Sequence, residues 1–218
     1  MKKLILLPLV LAFASNAAMA ANSVDLRVTG TITPAACGIT LAGGDFDLSN
    51  IDIGTLSAST SVKLPESAGK TLSITCSGAT QVAFKAIDNR KSSAPFDDSD
   101  EFGLGTDSQN APIGSYEILV NQPSILVDSA AGQIKSSDDE GTSWMGFSAT
   151  DLGLLSYTKY PRIFALDKRF AGPVSQPVPT TNASALLKVV ATIQPTNTLD
   201  TSAEITLDGS ATIELVYL

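Results

Sequence analysis

Both ends of this chain carry a period of two, which constrains its fold more than any other feature. Near the C-terminus Ile205, Leu207, Ala211, Ile213, Leu215 and Tyr217 fall on one side of an alternating stretch that runs to the final residue, Leu218. That is the pattern of a half-buried β-strand. Toward the other end Val24, Leu26, Val28 and Ile32 alternate with Asp25, Arg27, Thr29 and Thr31, and Gly30 stands in the apolar series. A strand leaves a row of backbone groups that need a partner, and the N-terminal one reads as a strand ready for export to another molecule.

Between the ends, short apolar runs separated by turn clusters predict strands at 23–33, 38–42, 51–57, 70–77, 80–88, 113–121, 125–128, 160–166, 185–193 and 203–218, and no helical period lasts beyond two turns. The class is therefore all-β, with two packed sheets as its natural architecture. Leu72, Ile74 and Cys76 share a face that should turn inward, and 70–77 and 80–88 are expected to pair tightly. Asp88-Asn89 supplies turn chemistry after the second of these. Residues 89–112 are rich in Ser, Asp and Gly, and 168–184 carry Pro173, Pro177 and Pro179, so both read as long loops.

Lys2 and Lys3 precede the apolar run Leu4 to Ala14, and Ala18-Met19-Ala20 gives a small-x-small cleavage pattern, so residues 1–20 read as a cleaved secretory signal. No later apolar run is long enough to span a bilayer. Removing Lys2 and Lys3 from the 14 basic residues leaves 12 against 22 acidic ones, a net charge of −10 that argues against nucleic acid or anionic lipid as a partner. In an oxidising compartment the two cysteines, Cys37 and Cys76, are expected to form one disulfide.

The chain has no histidine, which removes Ser-His-Asp and Cys-His nucleophile pairs and His-based zinc sites. Two acidic clusters, Asp97, Asp98, Asp100 and Glu101, and Asp138, Asp139 and Glu140, lack the alternating ligand spacing of a calcium loop and read as solvated loops. Ser137-Asp138-Asp139-Glu140-Gly141-Thr142-Ser143-Trp144 resembles the Asp-box hairpin of sialidases, but a single copy reads as a structural turn. Asn182-Ala183-Ser184 matches a glycosylation acceptor and reads as ordinary loop. No catalysis, cofactor or metal is expected.

Together, Val24-Asp25-Leu26-Arg27-Val28-Thr29-Gly30-Thr31-Ile32 leading to Cys37, Asp52-Ile53-Gly54-Thr55-Leu56 on a following strand, Leu72-Ser73-Ile74-Thr75-Cys76, and the closing Leu215-Val216-Tyr217-Leu218 resemble subunits of chaperone-usher pili. A fimbrial-like subfamily of that class also carries a stretch like Asp88-Asn89-Arg90 and an ending like Leu207 to Thr212. The resemblance implies an incomplete immunoglobulin-like β-sandwich, the pilin fold, divided into a donor-strand extension at 21–33 and a domain at 34–218. It implies a structural fimbrial subunit that polymerises by donor-strand exchange and supports cell adhesion at the cell surface. Its partners would be a periplasmic chaperone, an outer-membrane usher, neighbouring subunits and, through a surface face, a receptor. Val24, Leu26, Val28, Gly30 and Ile32 would enter a neighbour's groove; Ile213, Leu215, Tyr217 and Leu218 would form the strand zipped to the chaperone. The glycine usual upstream of the penultimate tyrosine is displaced, with Gly209 nearest. The competing expectations are a self-contained secreted or periplasmic β-sandwich that binds carbohydrate or protein, with 22–33 folded onto its own sheet, and a glycan hydrolase, which would need several Asp-boxes.

Overall fold

The structure is a computed structural model describing residues 26–31, 35–95, 101–147, 150–154, 161–168 and 176–218. Pro34–Leu218 form one compact unit, separate from the residues up to Thr33. Its described residues form twelve strands: β1 Cys37–Leu41, β2 Val62–Lys63, β3 Lys70–Thr80, β4 Val82–Asp88, β5 Phe102–Gly103, β6 Gly114–Val127, β7 Ala130–Ser137, β8 Met145–Gly146, β9 Asp151–Gly153, β10 Ile163–Lys168, β11 Thr180–Ile193 and β12 Ala211–Tyr217. Among the described residues there is no α-helix, only three 3-10 turns. The protein is an all-β sandwich.

Strands run antiparallel in the order β1-β3-β11-β6-β7-β10-β4-β12, so that β1 and β12 are the two ends of the path. One face of the sandwich is β1-β3-β11-β6, the other β7-β10-β4-β12. Alternate residues of both meet in one core that includes Leu72, Ile74, Phe84, Ile118, Val120, Phe164 and Leu187. Period-two burial follows from the pleat, which sends successive side chains to opposite faces. Cys37 and Cys76 are register partners on β1 and β3 and form the disulfide. At a sequence separation of 39, the cross-link contributes about 4 kcal/mol in the chain-entropy account.

The tight pair expected of 70–77 and 80–88 does not form. Only Gln81 separates β3 from β4, and no turn residue reverses the chain, so it crosses from one sheet to the other; β3 pairs β1 and β11, and β4 pairs β10 and β12. The expected strands 113–121 and 125–128 are one long strand, β6. It joins β7 through Asp128 and Ser129, both with positive φ, as a two-residue hairpin turn requires. The expected strand at 51–57 is a 3-10 turn over Ile53–Thr55, because the Asp52 carboxylate accepts Gly54 N–H at 2.9 Å and the Thr55 hydroxyl donates to Asp52 O at 2.6 Å. Of 203–218 only β12 is strand. In the expected loop 168–184, β11 already begins at Thr180.

A candidate strand-accepting groove

β12 bonds on one side to β4 through seven register pairs from Ala211↔Asp88 to Tyr217↔Val82, and β1 bonds on one side to β3. Among the described residues neither strand has a second partner, so two free backbone edges border the sandwich. At one end they are tied together: Cys37 N–H donates to the Tyr217 hydroxyl at 2.8 Å. Beyond Leu41 and Ala211 they part around a groove of about 1300 Å³.

The groove floor is core. Leu104, Ile113, Tyr116, Ile118, Leu187 and Val189 line it, and all are buried. One wall is the stretch after β1, where Phe46, Leu48 and Ile51 pack inward; the other is the stretch before β12, where Leu207 does the same. Among the described residues, neither 45–51 nor 204–207 makes a backbone-to-backbone hydrogen bond. An apolar trough bordered by unbonded backbone is a template for another strand. Burial raises the pKa of the Tyr116 phenol well above its usual value, and the ring packs against Phe102 with centroids 5.4 Å apart.

The second wall is fastened by residues that the sequence set apart. Asp88 accepts Arg90 N–H at 2.8 Å and Gly103 N–H at 3.0 Å, Asn89 donates to the Ser210 and Thr212 hydroxyls, and Arg90 pairs with Asp208 at 2.7 Å. Burial pushes the Asp88 carboxyl upward despite these bonds. Asp208 N–H donates to Leu104 O at 2.9 Å. At Gly209 an added Cβ would stand 2.8 Å from the Tyr116 ring, so glycine lets the wall lie on the floor. This close approach is why the expected strand at 203–218 is interrupted.

Of the C-terminal residues singled out from sequence, Ile213 lines the groove and Leu215 packs on the core. Tyr217 ties β12 to Cys37 of β1, and Leu218 borders Gly141. Val216 faces outward onto a small cluster of Ala83, Trp144, Ile163 and Ala165. That places the Asp-box-like turn behind β12. Asp139 accepts Ser143 N–H at 2.8 Å and bonds the Ser137 and Ser143 hydroxyls, Gly141 has φ 92°, and Trp144 Nε1 donates to Gly141 O at 3.0 Å. The motif is built into a turn that braces the groove strand from outside.

Leu26, Val28 and Gly30 lie in 26–31, which has no regular strand, and Leu26 and Val28 are 88% and 87% exposed. Val24, Ile32, the leader 1–20 and Asp97, Asp98 and Asp100 lie outside the described residues. Among the described residues no group of three or more His, Cys, Asp or Glu is arranged to hold a metal, and no helix is long and apolar enough to cross a membrane. Asn182 is exposed on β11. Sequence reasoning missed the first wall. Its signal was the alternation Asp45-Phe46-Asp47-Leu48, a period-two run too short to stand out.

A family model described as a protein of unknown function (DUF1120) matches residues 26–101. The chain is 29% identical, over 238 aligned positions covering 95% of each protein, to a protein described as uncharacterized protein YhcF of Escherichia coli (strain K12). No solved structure matches.

Proposed function

We propose that the protein is a structural subunit of a surface fimbria, assembled when the alternating segment of one copy fills the groove of the next. The observation that carries this reading is the apolar groove between the two free edges, β1 and β12. Exposed aliphatic side chains at Leu26 and Val28, in a segment with the period of a strand, supply a matching donor. Four inserted aliphatic side chains would contribute on the order of 6 to 12 kcal/mol before ordering costs. Pairing antiparallel to the wall that leads into β12 directs the Val24 end of the segment toward Ile213 and the Ile32 end toward 201–207. Until a neighbour arrives, a periplasmic chaperone strand would cover the same edges, and an outer-membrane usher would manage the exchange. In this reading the protein is exported and does no catalysis.

The experiment is assembly in cells with a complete secretion system. Val28→Asp puts a charge where an aliphatic side chain would be buried, and is expected to abolish surface polymer while leaving the protein's own sandwich folded. Normal polymer from this variant would overturn the reading.

A further inference from the structure

The groove has a sign as well as a shape. Five carboxylates line it, Asp45, Asp47 and Asp52 on one wall and Glu204 and Asp208 on the other; no Lys or Arg is among the lining residues. All five are exposed at the rim, above an apolar floor. Of the nearby cations, Arg90 pairs with Asp208 and offsets that one charge, and Lys70 is held by the carbonyl of Gly43 and, at 5.5 Å, the ring of Phe46, so the rim keeps its acidic sign through Asp45, Asp47, Asp52 and Glu204. A cleft lined by one sign of charge over a low-dielectric wall focuses the field and raises the encounter rate of opposite charge by about 10 to 10³.

Resting on the groove's reading as a strand acceptor, we propose that its acidic rim selects the incoming strand by charge. The fitting first occupant has aliphatic side chains facing in, Lys or Arg facing out, and belongs to a protein of net positive charge. A second copy of this chain fits poorly at encounter. Without residues 1–20 each copy carries 12 basic against 22 acidic residues, and the outward positions of its own segment, Asp25, Arg27, Thr29 and Thr31, sum to zero. Like charge on two copies slows their meeting, whereas a basic partner is steered in. The rim therefore acts against premature self-association and for a cationic strand donor.

The test uses the chain without residues 1–20 and carrying Val28→Asp, so that its own segment does not compete, with three fluorescent peptides of residues 22–33. One has the native sequence, one carries Asp25→Lys and Thr29→Lys, and one carries Arg27→Glu and Thr29→Glu; all keep the inward side chains. At about 20 mM salt the basic peptide is expected to be captured at least ~10-fold faster than the acidic one, and at about 0.5 M the ratio should fall below ~2, since screening then acts within a few ångströms. Asp45→Asn with Glu204→Gln in the protein should shrink the low-salt ratio; Asp47 and Asp52 are left alone because they cap turns. Equal rates at low salt, or a preference that survives high salt, would overturn charge selection while leaving strand capture standing. Capture of none of the three would overturn both.

Discussion

Lys135 and Asp167 lie on the outer face of the β7-β10 pair with side chains 1% and 0% exposed, and Lys135 Nζ is 2.5 Å from Asp167 Oδ2. The other oxygen of Asp167 accepts Lys168 N–H at 2.9 Å and Val178 N–H at 3.1 Å, so this carboxylate also anchors the approach to β11. Removing one member of such a pair strands a buried charge, at a cost of about 3 to 5 kcal/mol. Lys135→Met and Asp167→Asn should each lower the urea midpoint strongly. The double variant should be clearly more stable than the sum of the two losses, with a coupling of about 2 kcal/mol or more. Additive losses would mean that the two charges do not depend on each other. Neither residue stood out in the sequence, because burial of a Lys and an Asp depends on which loops cover a strand face. Cys37 and Cys76, by contrast, are legible as a pair from their count and the export expected of the leader.

At the scale of elements, carboxylate clamps hold the turns and loops of the sandwich, some of them beside the groove. Asp139 closes the turn behind β12; its hydrogen bonds, the Ser143 hydroxyl first, lower its pKa to about 2. Asp200 reaches about 2 through the hydroxyls of Ser108 and Ser202, and hydrogen bonds also lower Asp107 and Asp128. Each folded value lies below the ordinary 3.8. Their stabilisation is therefore present above about pH 4 and is lost as pH falls toward 2. Asp88, raised by burial, works in the opposite sense. Four lowered groups against one raised group predict a urea midpoint that is flat near neutrality and drops between about pH 4 and pH 2. Asp139→Asn with Asp200→Asn should flatten that drop, and an unchanged acid limb in this variant would contradict the clamp assignment. Most element types were readable from the period of two, including β3, β4 and β12. The failures came where a side chain or a contact overrides the pattern: the Asp52 cap turned 51–57 into a 3-10 turn, and the approach of Gly209 to Tyr116 cut short the last strand. The pairing of β3 with β4 failed for a different reason, since one residue between two strands does not reveal whether the chain reverses or crosses to the other sheet.

Over the whole molecule, the sandwich carries a strand's worth of bare edge on the side where β1 and β12 end the sheet path, and the chain carries a segment patterned to cover such an edge. The sequence exposed the segment and β12, but not the groove's floor, because Leu104, Ile113 and Tyr116 come together only when β5 and β6 fold beneath the walls. The most direct measurement is thermal unfolding of the chain without residues 1–20 and carrying Val28→Asp, with and without a native-sequence peptide of residues 22–33. At a peptide concentration about 1,000 times its dissociation constant, mass action contributes about 4 kcal/mol, a rise in melting temperature of about 10 °C for a domain of this size. Slow capture and a rise of that order are expected. A sandwich whose melting temperature is indifferent to the peptide would be closed already, contradicting the claim that its groove awaits a strand.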